Sequence, residues 1–246
     1  MGSADLHLHS AHSDGMMTVA ELLAHAEGET TLDVVAVADH DQVAGALEAV
    51  EWCAGRPGGR LRAVVGTEIS ASWGRHVVAL FFQAPYPTRP FPRFRPLRET
   101  VERVAAAGGI VVVPHALSTL VPSLGEQALR RLLMEPGVRD TLLGVELCSG
   151  VVGGRRAEPR LRRLNATEWG LAALGSSDAH HLAQVAGAWT EFPGHTPADL
   201  LTAIRERHTT AHWGIASHVG LASHARQGWR SLVVKPVREL RGAIRG

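Results

Sequence analysis

The stretch Ala4-Asp5-Leu6-His7-Leu8-His9-Ser10, near the start of the 246-residue chain, decides the fold. Apolar and polar residues alternate in it, the period of a β-strand with one face turned inward. In a regular strand Asp5, His7 and His9 share one face, and Leu6 and Leu8 the other. Two imidazoles on one face, one residue apart, can chelate a single metal ion, so this strand is expected to end at a polar pocket. Ser13-Asp14-Gly15 follows as a turn held by an Asx hydrogen bond. Thr18–Ala26 then reads as a helix, with Thr18 as N-cap and Glu21 three residues on, the spacing of a capping box.

Working outward, the same grammar repeats. Asp33–Ala38 is a Val-rich strand that runs into Asp39-His40-Asp41. Leu61–Ile69 is a strand carrying Gly66-Thr67-Glu68, and His76–Phe82 is another that opens on a histidine. Ile110–Val113 leads to Pro114-His115, Leu142–Leu147 holds Glu146, and Leu171–Leu174 leads to Ser177-Asp178-Ala179-His180. Between them Val43–Ala54, Leu97–Ala107, Leu124–Glu135, Glu158–Glu168 and Pro197–Arg207 read as helices, the last capped by Thr196. Residues 83–97 hold five of the 13 prolines and read as an irregular loop. Alternating strands and helices argue for an α/β fold with a largely parallel sheet. About seven such units, with no Gly-rich dinucleotide fingerprint, favour a closed barrel, and such barrels use about 250 residues as one domain. The expectation is a single-domain distorted (β/α)7 barrel over residues 1–213. Residues 214–246 would form a tail in which Trp229–Leu240 packs a helix back onto the barrel.

Composition narrows the function. A net charge of +1 gives no field that would favour nucleic acid or a membrane. Two cysteines, Cys53 and Cys148, cannot build a disulfide framework, so a reducing, cytoplasmic setting is the default. No apolar run is long enough to span a membrane and no signal peptide is evident. The 14 histidines direct attention to metal chemistry. Carboxylates and imidazoles buried at the ends of apolar strands are costly unless paired or metal-bound. Barrel enzymes build their sites where the strands end, at the C-terminal face. A polynuclear centre accounts in one step for five or six strands ending in ligand-type residues. His25, His181, His195, His208, His212, His218 and His224 are expected to serve surface or packing roles.

Together, Asp5-Leu-His-Leu-His-Ser10, Ser13-Asp-Gly15, Ala38-Asp-His-Asp41, Gly66-Thr-Glu68, His76, Pro114-His115 and Ser177-Asp-Ala-His180 resemble the PHP (polymerase and histidinol phosphatase) superfamily, over residues 4–212. The resemblance implies up to three divalent ions (Mn, Fe or Zn). His7, His9, Glu68 and Asp178 would hold the first. Glu68 would bridge to a second, held also by His76 and His115, and Asp14, His40 and His180 would hold a third. It implies hydrolysis of a phosphate monoester by metal-activated hydroxide. Asp5, Asp39 and Asp41 would steady the ligating imidazoles, Asp41 or His12 would protonate the leaving group, and Arg155 and Arg156 would grip phosphate. Aspartate at position 14 resembles the branch acting on nucleotides, such as nucleoside 3′,5′-bisphosphates or short RNA 5′ ends. Histidinol phosphate is the alternative substrate, and a non-catalytic metal-binding module the alternative role. In place of the larger insertion common between the positions of His76 and His115 stands the Pro-rich stretch 83–97, and Ala116 follows His115 where proline is frequent. An amidohydrolase-like barrel also begins with His-x-His, but its bridging lysine has no counterpart, since the only lysine is Lys235 in the tail.

Overall fold

A computed structural model of the protein describes residues 1–215. Strand β1 (Gly2–Leu8) lies parallel to β2 (Val34–Val37), and β2 parallel to β3 (Arg62–Ser70). β4 (His76–Phe81) runs antiparallel to β3 and to β5 (Ile110–Val113), after which β5, β6 (Leu142–Ser149) and β7 (Ala172–Ser176) are again parallel. β8 (Ala188–Phe192) pairs antiparallel with β1, and β9 (Thr210–Trp213) with β8, so the order is β7-β6-β5-β4-β3-β2-β1-β8-β9. The sheet curls until the segment after β7 meets β1. There the His9 N–H donates to the Ala179 carbonyl at 2.9 Å and the Ser177 N–H to Asp5 Oδ1 at 3.0 Å. Thr190 of β8 exchanges hydrogen bonds with the Gly175 backbone of β7, leaving a nearly closed barrel.

Among the described residues six α-helices intervene: α1 (Val19–Glu29), α2 (Ala44–Ala54), α3 (Leu97–Ala106), α4 (Glu126–Leu132), α5 (Gly154–Leu164) and α6 (Pro197–Glu206). Thr18 and Thr196 each form a full capping box, with Glu21 and Asp199 respectively, an arrangement worth roughly 1 kcal/mol apiece. The apolar residues divide into two layers. Val35, Val37, Val65 and Ile69 face outward onto the helices, in one cluster with Leu22, Leu23, Ala46 and Ala49. Ala36, Val64, Leu80, Val112 and Leu174 face inward, in a second cluster that includes Leu200, Ala203 and Ile204 of α6.

Four expectations are corrected. The described residues form nine strands rather than seven, since β8 and β9 escaped notice in the sequence. β4 is antiparallel because only residues 71–75 join it to β3, whereas a parallel crossover needs about a dozen. The helix expected from Glu158 begins at Gly154, after Gly153 turns the chain at φ 89°, and takes Pro159 inside; it ends at Leu164 in a π-turn over Asn165–Trp169. Finally, Asp5 and His7 do not share a face. Asp5 and Leu8 pair with Val35 and Val37, three residues against two. This bulge breaks the alternation, so Asp5 and Leu8 share one face while His7 and His9 turn to the barrel mouth. The expected C-terminal helix, Trp229–Leu240, lies outside the described residues, as do His218 and His224. No described helix is long and apolar enough to cross a membrane.

Candidate metal centre

Glu68 is the hub. Gly66 leaves room for its strand to pass the Val37 carbonyl, and Glu68 emerges from β3 with about 1% of its surface exposed. Its Oε2 lies 3.3 Å from His7 Nε2, 3.4 Å from His9 Nε2 and 3.0 Å from His40 Nδ1. Its Oε1 lies 2.8 Å from His76 Nδ1 and 3.0 Å from His115 Nε2. Beside it, His7 and His9 bring their Nε2 atoms to 3.1 Å of each other, with Asp178 Oδ1 at 3.6 and 3.0 Å. Asp14 lies 3.4 Å from His180 Nε2 and 3.7 Å from both His9 Nδ1 and His40 Nε2. All nine ligands expected from the sequence therefore meet at the mouth.

Three groups present donor atoms at mutual distances that suit a shared ion: His7, His9 and Asp178; His40, Glu68 and His76; and His9, Asp14, His40 and His180. Four memberships differ from the expected sets: Glu68 falls outside the His7 group and His115 outside all three, while His9 and His40 each join a second group. His9 belongs to the Asp14 group as well as to the His7 group, and His40 also adjoins Glu68 and His76.

The electrostatics call for positive charge. Burial drives the Glu68, Asp14 and Asp178 carboxyls upward, but the surrounding imidazoles outweigh it and hold all three well below their ordinary range. Burial likewise opposes charge on His7, His115 and His180, yet their carboxylate neighbours raise all three, His180 to about 9. The pocket thus gathers protons to balance its carboxylates, and cations can take their place. Facing Nε2 atoms at 3.1 Å cannot both carry a proton and both accept one. Among the described residues His9 Nδ1 and His115 Nδ1 also lack a hydrogen-bond partner. A mixed set of imidazoles and carboxylates in this state suits divalent metal ions.

Partners behind the donors orient them. The buried Glu146 takes the His7 Nδ1–H at 2.9 Å through Oε1 and the His115 backbone N–H at 2.7 Å through Oε2. The His180 Nδ1–H donates to the Asp178 carbonyl at 2.9 Å, aiming Nε2 at Asp14. His115, Asp178 and Asp41 hold left-handed backbone at φ 31°, 50° and 50°, strain of the kind that gathers at functional sites.

The expected helper carboxylates brace loops. Asp5 accepts the Ser177 and Ala186 N–H groups, each at 3.0 Å, and burial pushes its carboxyl up to about 7. Asp39 takes the Ser10 N–H, the Ser10 hydroxyl and the Ser13 hydroxyl at 2.8, 2.6 and 2.5 Å. Asp41 takes the Ser70 N–H and hydroxyl, both at 2.8 Å, and lies 3.9 Å from Arg93. Sequence reasoning missed both Glu146 as the imidazole's partner and Arg93. A glutamate inside the apolar β6 signalled the first; nothing marked Arg93 among the arginines of its loop. His12 turns to Glu48 at 2.8 Å. Arg155 stacks over Trp213 at 4.3 Å, while Arg156 lines a cavity that His115 also lines. His181 caps the short turn at Leu182–Gln184, and His212 stacks on Trp189.

With this geometry in place, likeness to known proteins carries weight. The family described as PHP-associated matches residues 160–209. A 5′-3′ exoribonuclease of Haemophilus influenzae is 41% identical over 88 residues, 34% of this chain and 30% of that protein. A 3′,5′-nucleoside bisphosphate phosphatase of Chromobacterium violaceum is 37% identical over 90 residues, 37% of this chain and 30% of that protein. The matched segments thus span under a third of either relative. Among solved structures, a two-domain protein of Bacteroides vulgatus, described as containing a predicted PHP-like metal-dependent phosphoesterase, superposes with a TM-score of 0.67 at 14% identity. That match covers 93% of this chain and 69% of the other.

Proposed function

The chain carries a PHP-associated segment and the fold of the PHP-like phosphoesterases, and from that premise we propose that it is a metal-dependent phosphomonoesterase. Its ligands would be His7, His9, Asp14, His40, Glu68, His76, His115, Asp178 and His180. The observation that carries the proposal is one buried carboxylate, Glu68, within 3.4 Å of five imidazoles. Bound in such a cluster, divalent ions supply Lewis-acid charge toward a phosphoryl group and acidify water.

The chain's own residues do the rest. Glu146 fixes the His7 ring so that Nε2 faces the pocket, and the Asp178 carbonyl does the same for His180. Arg156, on the wall of a cavity that His115 also lines, meets the alcohol portion of the ester. Of the two proton donors expected for the leaving group, His12 is the one we assign, with Glu48 behind its Nε2. Asp41 is committed to Ser70. The names of the two relatives favour a nucleotide or another small phosphorylated metabolite as substrate.

A screen of nucleotide and metabolite monoesters with added Mn²⁺, Fe²⁺ or Zn²⁺, with metal analysis of the same preparation, tests the reading. Turnover should need metal and disappear with chelator. His9→Ala and Asp178→Ala should lose both metal and turnover while the barrel stays folded. Full activity in either variant, or turnover indifferent to chelator, would refute it.

A further inference from the structure

Beside the metal centre, between the segment after β5 and the start of α5, lies a cavity of about 400 Å³ whose wall includes His115. That size falls in the range of small-molecule sites. Leu117, Leu120, Val151 and Val152 line it, and none of its described lining residues is acidic. Two polar groups have no evident work in the fold. Ser149 is 3% exposed, and its hydroxyl makes no hydrogen bond among the described residues. It pairs with Ser176 while its neighbour Cys148 points to Glu158 and Arg162 of α5, so Ser149 faces the opposite way, toward the mouth. Arg156 and Arg160 lie one turn apart on the cavity side of α5. Arg160 is paired with Glu126 at 2.6 Å, which leaves Arg156 as the unpaired cation among the described lining residues. Gly154 permits this arrangement, since a Cβ there would strike the Ser149 carbonyl. α5 also begins with no side chain capping it, so its positive end adds to the field.

We propose that this cavity seats the leaving group of the ester, and that the leaving group carries a second anionic group, carboxylate or phosphate, held by Arg156 and the Ser149 hydroxyl. The inference rests on the phosphoesterase reading and deepens it: the substrate is a compact phosphate ester whose alcohol portion is apolar in the middle and negatively charged at its far end. Among the described residues that hydroxyl and that guanidinium have no partner, and on apolar walls they suit an anionic group better than an uncharged one.

Three aryl esters test it on the metal-loaded protein: phenyl phosphate, 4-carboxyphenyl phosphate and 4-(phosphonomethyl)phenyl phosphate. At least one charged ester should exceed phenyl phosphate in kcat/KM by roughly tenfold, as one charge-assisted pair allows. The better of the two identifies the anion. Arg156→Ala should bring that ratio to about one. Val152→Glu, at a position 74% exposed where folding is not at stake, should lower it below one by like-charge repulsion. Equal rates for all three esters, or a preference that survives Arg156→Ala, overturns the inference. Calorimetry with 4-hydroxybenzoate and with 4-(phosphonomethyl)phenol reads the cavity without turnover. If no ester is hydrolysed but either alcohol binds in an Arg156-dependent way, the activity is wrong and the cavity stands. If neither alcohol binds, the cavity inference falls whatever the rates.

Discussion

Two sets of buried carboxylates share the mouth of this barrel and do different work. Asp14, Glu68 and Asp178 face imidazoles. Asp5, Asp39 and Asp41 face backbone N–H groups, and the latter two also serine hydroxyls. Glu68 and Asp39 are equally inaccessible, at about 1% exposure each. Burial therefore does not separate a candidate ligand from a brace; these two sets differ in their partners. An N–H or hydroxyl donor satisfies part of a carboxylate's accepting capacity and brings no lone pair of its own to share with an ion. An imidazole beside a carboxylate offers a lone pair as soon as its proton leaves, and the two can then share one cation.

The largest expected effect tests the first set. Glu68→Gln keeps the shape and removes the charge that five imidazoles surround. Losing several kcal/mol of electrostatic stabilisation should lower kcat by roughly 10³-fold or more. Metal content, measured on the same sample, should fall with it. A Glu68→Gln protein with unchanged metal and rate would erase the distinction between the sets. Glu146→Gln comes next, because Glu146 touches the cluster only through His7 Nδ1 and the His115 N–H. Altering such an outer partner typically weakens metal binding about 10–100-fold, and a competition titration against a metal chelator would read the change. An equal loss in both variants would mean that Glu146 is itself a ligand.

Asp39→Asn tests the second set. The amide would present donors to the Ser10 and Ser13 groups that now donate to Asp39. Leaving buried donors unmatched costs about 1–3 kcal/mol, visible as a lower denaturant midpoint of the metal-free protein. Glu68→Gln should not destabilise that form by as much. If Asp39→Asn instead strips metal without lowering stability, Asp39 belongs with the ligands.

Much of this was legible in the sequence. Each ligand type at a strand end, the Thr18–Glu21 capping box and the Pro-rich loop follow from local pattern, because strand period and cap chemistry are local physics. The reversal of β4 was legible too, in the shortness of residues 71–75, although the rhythm of strand and helix masked it. What could not be read was set by long-range register. The bulge that separates Asp5 from His7 arises from pairing with β2. The braces formed by Asp39 and Asp41 join segments some 30 residues apart. Arg93 reaches Asp41 because the Phe94 N–H is tied to the Ser70 carbonyl at 2.7 Å, a contact no local rule announces.

The smallest effect gives the finest test of the comparison. Ser70 offers Asp41 two donors, its N–H and its hydroxyl. Ser70→Ala removes only the hydroxyl; the N–H bond and the Arg93 guanidinium remain on Asp41. A single hydrogen bond to a charged group contributes about 1.5–3 kcal/mol, and with other partners left on Asp41 the loss should sit at or below the lower end, roughly 1 kcal/mol. It should appear as a shift of the unfolding midpoint with metal content unchanged, although Ser70 stands opposite His76 in the β3–β4 register. If removing this hydroxyl lowers metal affinity as Glu146→Gln does, Asp41 acts through the cluster after all, and the line between ligand and brace must be redrawn to place Asp41 on the ligand side.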